Sequence, residues 1–307
     1  MSHGPEAPQY LHSYGDATDL GELEVERLRL LNTAYSPTAH AMLAPHLKPG
    51  MEVLELGVGT GEIGSWLAEK VGAEGKYIAI DKDPQQLAKA ARLIHGSQVH
   101  LIAADALRLS DSAEFSAQRP AEGFNLVYCR WFLCHITEAQ RTKLIQHIMS
   151  LLAPNGVFIC EEPDYRNMRL KERGAITPSP AIDSWKDIVK GLQAKPSLGL
   201  DLEMDDSKLT AELQKAILGH AGYHAEIICR FEAELTNGQK HALVLGIQTA
   251  AKAILSLGKA PAEVDTLLSQ LRIIESNPDQ SVVFYTNTFA KLTRSVDSMT
   301  AALPLPT

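Results

Sequence analysis

The chain has 307 residues, 45% of them hydrophobic and 21% charged, which is the composition of a folded globular protein and excludes a disordered or fibrous one. Lys and Arg number 29 against 37 Asp and Glu, a formal net charge of -8, so neither nucleic acid nor an anionic membrane surface is an expected partner. Apolar runs stop short of the roughly 20 residues that cross a bilayer, and the first residues lack the basic and apolar regions of a secretory signal, which predicts a cytoplasmic protein.

The predicted elements begin with a helix over residues 19–35, ahead of a region in which short apolar runs alternate with helical patterns. The strands predicted in that region are 51–56, 77–80, 99–103, 124–129 and 157–161. Between them lie helices that include one over 61–71, one begun by Asp83 and Pro84, and one begun by a capping box at Thr137. This alternation is typical of a parallel sheet with crossover helices, whose carboxyl edge binds ligands.

The pattern changes after residue 165. Residues 166–206 contain prolines and few apolar positions, and we expect them to cover the site as a lid. The later predicted elements are a helix at 208–221, a strand at 223–235, helices at 239–257 and 262–275, and a β-rich run at 281–286. The expected organisation is an N-terminal helical cap over 1–47, an α/β core over 48–165, the lid, and a C-terminal part over 207–307 with a helical insertion at 239–275.

Four cysteines, Cys129, Cys134, Cys160 and Cys229, lie in apolar contexts. Their spacing fits neither a zinc site nor a disulfide framework. We interpret them as reduced core residues and expect no metal site.

A glycine-rich turn follows the first strand, in the run Glu55-Leu-Gly57-Val-Gly59-Thr-Gly61, which opens directly into a helix. Glycine at such a turn lets the backbone approach a ligand closely, because no Cβ intervenes. A nicotinamide fingerprint would need a glycine where this chain has Glu62. The turn therefore predicts a ligand site and disfavours a nicotinamide oxidoreductase.

Acidic residues follow the next two strands. Asp81 ends the second strand, where a carboxylate accepts hydrogen bonds from ribose hydroxyls. Asp105 follows the third strand, where an ionised carboxylate can accept from an exocyclic adenine amine. A lone Asp at a strand end is more often a loop or cap residue, but the two positions together with the glycine turn indicate a nucleoside site.

With these motifs, residues 50–165 resemble the class I S-adenosylmethionine-dependent methyltransferases. The resemblance also includes Ala79-Ile-Asp81, Ala104-Asp105-Ala106 and the turn at 151–157. It implies a Rossmann-like, doubly wound, mostly parallel sheet of seven strands with an antiparallel last strand, an N-terminal helical cap and helical insertions. It further implies S-adenosylmethionine as the cofactor and S-adenosylhomocysteine as its product.

The same resemblance assigns the cofactor site. The glycines would pack against the methionine part with Glu55 near its amino group, Asp81 would hold the ribose, and Asp105 would bind the adenine edge. The residues that it implies for cofactor binding are Tyr14, Glu55, Gly57, Gly59, Gly61, Asp81, Lys82, Asp105, Ala106, Cys129 and Arg130.

The sequence is less specific about the site of the methyl acceptor than about the cofactor site. Methyl transfer is an in-line displacement to which positioning contributes much of the catalysis, so a catalytic base is optional. The candidates for a base are His135, Asp164 and Tyr165, and the candidates for contact with the substrate are Trp131, Glu161 and Glu162. His135 either takes a proton from a hydroxyl or has a structural role before a helix cap. The two glutamates either orient an amine-bearing substrate or cap their loop.

We therefore predict a methyltransferase acting at O, N or C of a small molecule. Neither an Asn-Pro-Pro-Tyr motif nor paired cysteines at strand ends are present, which disfavours nucleic acid as the acceptor. The alternative is a catalytically silent S-adenosylmethionine-binding sensor or scaffold, while aminopropyl transfer would require a different N-terminal half. The apolar faces of 239–275 are expected in a lid, in a homodimer interface or against an apolar substrate.

Overall fold

The computed structural model describes residues 18–195 and 200–295, folded as a mixed sheet with helices on both faces. Its strands are β1 (Glu52–Leu56), β2 (Lys76–Asp81), β3 (Val99–Ala103), β4 (Phe124–Arg130), β5 (Leu152–Asp164), β6 (Arg169–Glu172), β7 (Ala175–Thr177), β8 (Tyr223–Leu235) and β9 (Gln280–Arg294). Its α-helices are α1 (Thr18–Leu43), α2 (Glu62–Val71), α3 (Pro84–Ala90), α4 (Ala113–Gln118), α5 (Glu138–Leu151), α6 (Pro180–Gln193), α7 (Asp206–Ile217), α8 (His241–Leu255) and α9 (Pro261–Ser276).

The order of the strands confirms the predicted doubly wound sheet. β3, β2, β1, β4 and β5 are parallel neighbours in that order, and β9 then pairs antiparallel with β5 on one edge and with β8 on the other. The hairpin of β6 and β7, which pairs with the beginning of β9, adds two strands to the expected seven.

β9 is much longer than the predicted run at 281–286. The apolar pattern is interrupted by Thr286, Asn287 and Thr288, yet all three are fully buried. Asn287 finds buried partners on two neighbouring segments, donating to the Glu161 carboxyl and accepting from the Trp131 indole. The strand therefore continues through polar residues whose partners come from distant parts of the chain.

The segment predicted as an irregular lid contains helix α6. Ser179 accepts a hydrogen bond from the backbone N–H of Ile182 as the N-cap, and Pro180 occupies the first turn. Proline is tolerated there because that N–H has no partner within the helix. Ile182, Trp185 and other apolar side chains of α6 are buried, so the helix packs against the molecule as a cover.

The sheet separates two apolar cores, since alternate residues of a strand face opposite sides. Leu54 and Ile78 lie in one core, whereas Val53 and Tyr77 lie in the other. A third core lies among α1, α6, α8, α9 and the beginning of β9. Leu243, Val244, Leu245 and Ile247 of α8 are buried in this third core. The chain itself therefore covers the apolar face of α8, and the homodimer stays a prediction.

The cysteines are unpaired. Cys129, Cys134 and Cys160 are buried, as predicted, and Cys229 on β8 is half-buried. Across residues 18–195 and 200–295, no helix is both long enough and apolar enough to serve as a membrane span.

Lys240 joins α8 to the end of α9 through a fully buried ammonium group. Its Nζ donates to the carbonyl oxygens of Ile274 at 2.9 Å and Gln280 at 2.8 Å, and also to that of Asn277. The carbonyls of Ile274 and Asn277 also accept backbone N–H groups, from Asn277 at 3.3 Å and from Gln280 at 3.2 Å. The lysine thus adds a charged donor where three backbone oxygens converge, and burial lowers its pKa.

We expect Lys240→Met to lower the free energy of unfolding by about 1–3 kcal/mol, because three backbone carbonyl groups would lose their hydrogen bonds to the ammonium group. Urea unfolding monitored by circular dichroism measures this change. Lys259→Met, at an exposed lysine paired with Glu263, is the control and should stay within about 0.5 kcal/mol of wild type. Equal stability of both variants would contradict the role given to Lys240.

Candidate functional site

A cavity of about 240 Å³, here called the edge cavity, lies at the carboxyl edge of the parallel strands. The segments that follow β1, β2, β3 and β4 line it, and α1 closes it from above with Arg27, Leu28 and Asn32. Of the predicted cofactor residues, those that line the cavity are Glu55, Gly57, Gly59, Asp81, Lys82, Asp105, Ala106 and Arg130. Tyr14 lies outside the described residues.

The three glycines of the turn have different surroundings. All have positive φ, +73° at Gly57, +55° at Gly59 and +92° at Gly61. A Cβ on Gly57 would lie 2.6 Å from the Phe132 ring, and one on Gly61 would lie 2.9 Å from the Cα of Ala90. A Cβ on Gly59 would meet nothing within 4 Å. Gly59 therefore faces open space in the edge cavity, whereas Gly61 serves the contact between α2 and α3.

Glu55 forms a buried pair beneath the glycine turn. Its carboxyl group accepts a hydrogen bond from the hydroxyl of Tyr77, and burial raises the pKa of Glu55 to about 8. Room for the pair depends on Gly64, where a Cβ would lie 2.3 Å from the Tyr77 oxygen and 2.9 Å from Glu55 Oε2. The sequence analysis missed both Tyr77 and Gly64, since their role depends on packing between α2 and β2.

Asp81 connects the glycine turn to the next strand. Its Oδ2 accepts from the backbone N–H of Gly59 at 3.0 Å, and its Oδ1 accepts from that of Asp83 at 2.9 Å. Each carboxylate oxygen can accept a second hydrogen bond. Asp105 likewise caps its own turn, accepting from the N–H of Leu107 at 2.9 Å, while it lines the cavity. Both carboxylates thus hold the backbone and line the edge cavity.

The segment after β4 forms the opposite wall. The fully buried Glu162 accepts hydrogen bonds from the backbone N–H groups of Phe132, Leu133 and Cys134 at 2.8–3.1 Å. Burial raises the pKa of Glu162 to about 7. Trp131, with φ of +50°, precedes these residues in a left-handed conformation that is rare for a bulky side chain. Glu162 therefore fixes the shape of this wall.

Glu161 is also fully buried and bound by protein groups. Its carboxyl group accepts from the Tyr128 hydroxyl at 2.9 Å and from the Asn287 amide, and Arg130 lies 3.8 Å away. Burial raises its pKa. Neither Glu161 nor Glu162 is among the described residues that line the edge cavity. Their contacts support the interpretation that these glutamates hold the loop.

Arg130 links the wall to α1. Its guanidinium donates to the side-chain oxygens of Asn32 and Ser36 and lies 4.3 Å from the centre of the Trp131 ring. Cys129, one residue earlier, is buried in the core below the edge. Asn32 and Arg27 of α1 are lining residues that the sequence analysis missed, because only the folded chain brings the helix over the sheet edge.

A second cavity of about 110 Å³, here called the lid cavity, lies between α6, α8 and the segment after β4. Arg27, Trp131 and His135 line both cavities and mark the place where they meet. The other two candidates for a base lie elsewhere. Asp164 is buried and paired with Arg166 at 2.9 Å, and the Tyr165 hydroxyl donates to Glu203 at 3.2 Å.

Comparison with known proteins finds similarity to methyltransferases. The family model of a methyltransferase domain matches residues 53–156. A demethylmenaquinone methyltransferase of Symbiobacterium thermophilum is 27% identical over 184 residues, which cover 58% of this chain and 70% of the relative. Protein-L-isoaspartate O-methyltransferase 1 of Arabidopsis thaliana is 41% identical over 69 residues, but these cover only 30% of its length.

Solved structures share the fold at low identity. A cyclopropane-fatty-acyl-phospholipid synthase-like protein from Lactobacillus casei superposes with a TM-score of 0.51 at 14% identity, covering 92% of this chain and 96% of that one. A mycolic acid cyclopropane synthase complexed with SAH and CTAB has a TM-score of 0.50 at 12% identity, covering 88% and 95%. The fold is thus found along almost the whole length of both proteins.

We expect Glu162→Gln to remove a pH dependence of stability. The folded pKa of about 7 lies above the ordinary value of 4.5, so the folded state binds more protons between these values. Wild-type stability should therefore fall as pH rises from about 4.5 to 7, by on the order of 3 kcal/mol from this group. Glutamine retains an acceptor oxygen but does not titrate.

The measurement is urea unfolding of both proteins at several pH values from 5 to 8. The difference between wild type and Glu162→Gln isolates the contribution of this group from those of other buried carboxyls. Glu138→Gln, at an exposed residue, is the control. Parallel curves for wild type and Glu162→Gln would show that Glu162 does not titrate in this range.

Proposed function

We propose that this chain, which belongs to the class I S-adenosylmethionine-dependent methyltransferases, transfers a methyl group to a small-molecule acceptor. The observation that carries the proposal is a pair of neighbouring cavities that share Trp131 and His135 as lining residues. The edge cavity, which carries the carboxyl groups of Asp81 and Asp105, suits the cofactor, and the smaller lid cavity beside it suits a second molecule. The methylation of a menaquinone precursor that the Symbiobacterium relative's name describes is consistent with such an acceptor.

The residues of the edge cavity fit S-adenosylmethionine. Asp81 and Asp105 have acceptor capacity left for ribose hydroxyls and the adenine amine. The space at Gly59, which a Cβ would enter, allows the methionine part to approach the backbone. Glu55, buried beside this space, is the carboxyl group proposed for the cofactor's ammonium group.

When bound, S-adenosylmethionine supplies a methyl group whose bond to sulfur breaks, leaving the electron pair on sulfur, as the acceptor atom bonds to carbon. The chain itself holds the acceptor atom in line with the bond between the methyl carbon and sulfur. Such positioning contributes much of the rate of a displacement reaction. Trp131 is fixed for this task by its strained backbone and by the hydrogen bond from its Nε1 to Asn287 at 3.2 Å.

His135 is the residue proposed to receive a proton. Of the three candidate bases, it alone lines the boundary between the two cavities. An imidazole titrates near neutral pH and can take the proton that an acceptor hydroxyl or amine loses. If the acceptor atom is a carbon, or the nitrogen of an amine that is already neutral, no base is required before the transfer. The chain would then contribute by positioning alone.

The first test is calorimetric titration of the full chain with S-adenosylmethionine and S-adenosylhomocysteine. We expect one-to-one binding, weakened in Asp81→Ala by about 1–3 kcal/mol through lost hydrogen bonds. Asp111→Ala, at an exposed aspartate outside the edge cavity, is the control. Unchanged affinity in Asp81→Ala would refute the assignment. Binding without methyl transfer in an acceptor screen would favour a silent sensor or scaffold.

A second prediction concerns Gly59. Gly59→Ala should weaken S-adenosylhomocysteine binding at least tenfold, because the new methyl group would enter the space assigned to the ligand. Gly50→Ala is a matched control, since Gly50 also has a positive φ, +85°, and open space at its Cβ position. Both variants should lose about 1–2 kcal/mol of stability through backbone strain, measured by thermal unfolding. Equal affinities in the two variants would contradict the role of Gly59.

A further inference from the structure

The lid cavity has apolar walls. They come mainly from α6, α8 and the segment before α7, and the side chains that matter most are Trp185, Ile188, Leu192, Leu202, Ile247 and Ile254. Its volume of about 110 Å³ compares with the roughly 150 Å³ of a protein cavity that binds benzene. The space therefore suits one ring, or an aliphatic group of similar size.

Charge in the lid cavity is scarce and compensated. No carboxylate is found among its lining residues in the described part of the chain. The guanidinium of Arg27 is held by two hydrogen bonds to Glu24, at 2.7 and 2.6 Å. Burial raises the pKa of Cys134 and of Tyr285, so both stay neutral. A charged molecule would lose its hydration here without gaining a counter-ion.

One polar group in this wall lacks a partner. The indole Nε1 of Trp185 is buried, and no hydrogen-bond acceptor is found for it among the described residues. The ring is held by an edge-to-face contact with Phe284 at 5.3 Å. Its Cζ2, on the same edge as Nε1, lies 3.6 Å from the position of a Cβ on Gly246, another lining residue. The Nε1 atom is covered by neighbouring atoms and has almost no accessible surface, so a molecule in the cavity does not reach it and the ring's contribution to the wall is apolar.

We infer that the lid cavity binds the body of an uncharged, apolar molecule of about the size of one ring. This inference rests on the proposed function where it treats the bound molecule as the methyl acceptor. The shared residues Trp131 and His135 place the cavity's inner end at the edge cavity, so the bound body would direct its reactive atom there. Because no carboxylate is found among the described lining residues of the lid cavity, an amine-bearing molecule is disfavoured as the acceptor.

The test uses three probes that share one skeleton and bind the full chain saturated with S-adenosylhomocysteine. Acetophenone carries a carbonyl oxygen, ethylbenzene lacks it, and 1-phenylethylamine is a cation at neutral pH. Dissociation constants come from ligand-observed NMR or calorimetry. We expect acetophenone and ethylbenzene to bind with affinities within about threefold of each other, and the ammonium probe to bind at least tenfold more weakly than either.

Variants assign these differences to the cavity. Trp185→Phe keeps an aromatic ring in the wall, so both neutral probes should stay within about threefold of their wild-type affinities. Gly246→Leu should fill the cavity and abolish binding of both neutral probes, with S-adenosylhomocysteine binding unchanged. Gly246→Ala is the matched control, because its Cβ would make only ordinary contacts of 3.6 and 3.7 Å.

If Gly246→Leu fails to fold, Ala250→Leu tests the same wall one turn further along α8. Tightest binding by the ammonium probe overturns the inference. Binding of S-adenosylhomocysteine without binding of either neutral probe also overturns it. The converse result, probe binding as expected in a chain that does not bind S-adenosylhomocysteine, would refute the proposed function and leave the lid cavity's ligand class standing.

Discussion

The carboxyl group of Glu162 fixes the segment on which both cavities depend. Three successive backbone N–H groups after β4 point at this one buried side chain, and they could not all find partners in a helix or strand. Because the segment is held at these points, Trp131 can keep a left-handed backbone conformation that a free loop would leave. The indole is then secured by Asn287 on β9 and stacked under Arg130. A single buried acceptor thus determines where the wall between the cavities lies.

The carbonyl groups of the same segment are satisfied by a residue of opposite charge. Arg141 of α5 is buried and donates to the carbonyl oxygens of Leu133 and Ile136 at 3.3 and 2.8 Å. It also pairs with Asp201 and Glu212, the second of which is buried on α7. The segment around His135 is therefore held from both sides, by a carboxyl on its donors and a guanidinium on its acceptors. Removing either group would leave buried polar atoms unpaired, which is far more costly than losing a surface ion pair.

The sequence predicted the features that neighbouring residues determine, such as strands and turns. It did not predict the features that depend on packing between distant segments. The parallel strands, the glycine turn, and the places of Asp81 and Asp105 follow from periodicity and turn residues, and the structure brings those residues to one cavity. Helix α6 was hidden by the prolines at its start, Pro178 before the helix and Pro180 in its first turn, and the buried polar run of β9 resembles a strand end. The role of Glu162 was equally hidden, since an acidic cluster at a strand end looks the same whether it faces a ligand or its own backbone. Only the three N–H groups that converge on it decide between these interpretations.

Trp131 lies between two cavities that differ in the carboxyl groups they carry. On one side, Glu55, Asp81 and Asp105 give the edge cavity acceptor groups for hydroxyls and amines. On the other, the lid cavity offers apolar surface, with no carboxylate among its described lining residues. A charged molecule would lose its hydration in the lid cavity without gaining a counter-ion, whereas the edge cavity provides carboxyl groups. The wall between them is held by hydrogen bonds from its backbone N–H groups to the buried Glu162 carboxyl. Their separation is therefore set by the fold itself, which is the condition under which positioning can contribute most to a displacement reaction.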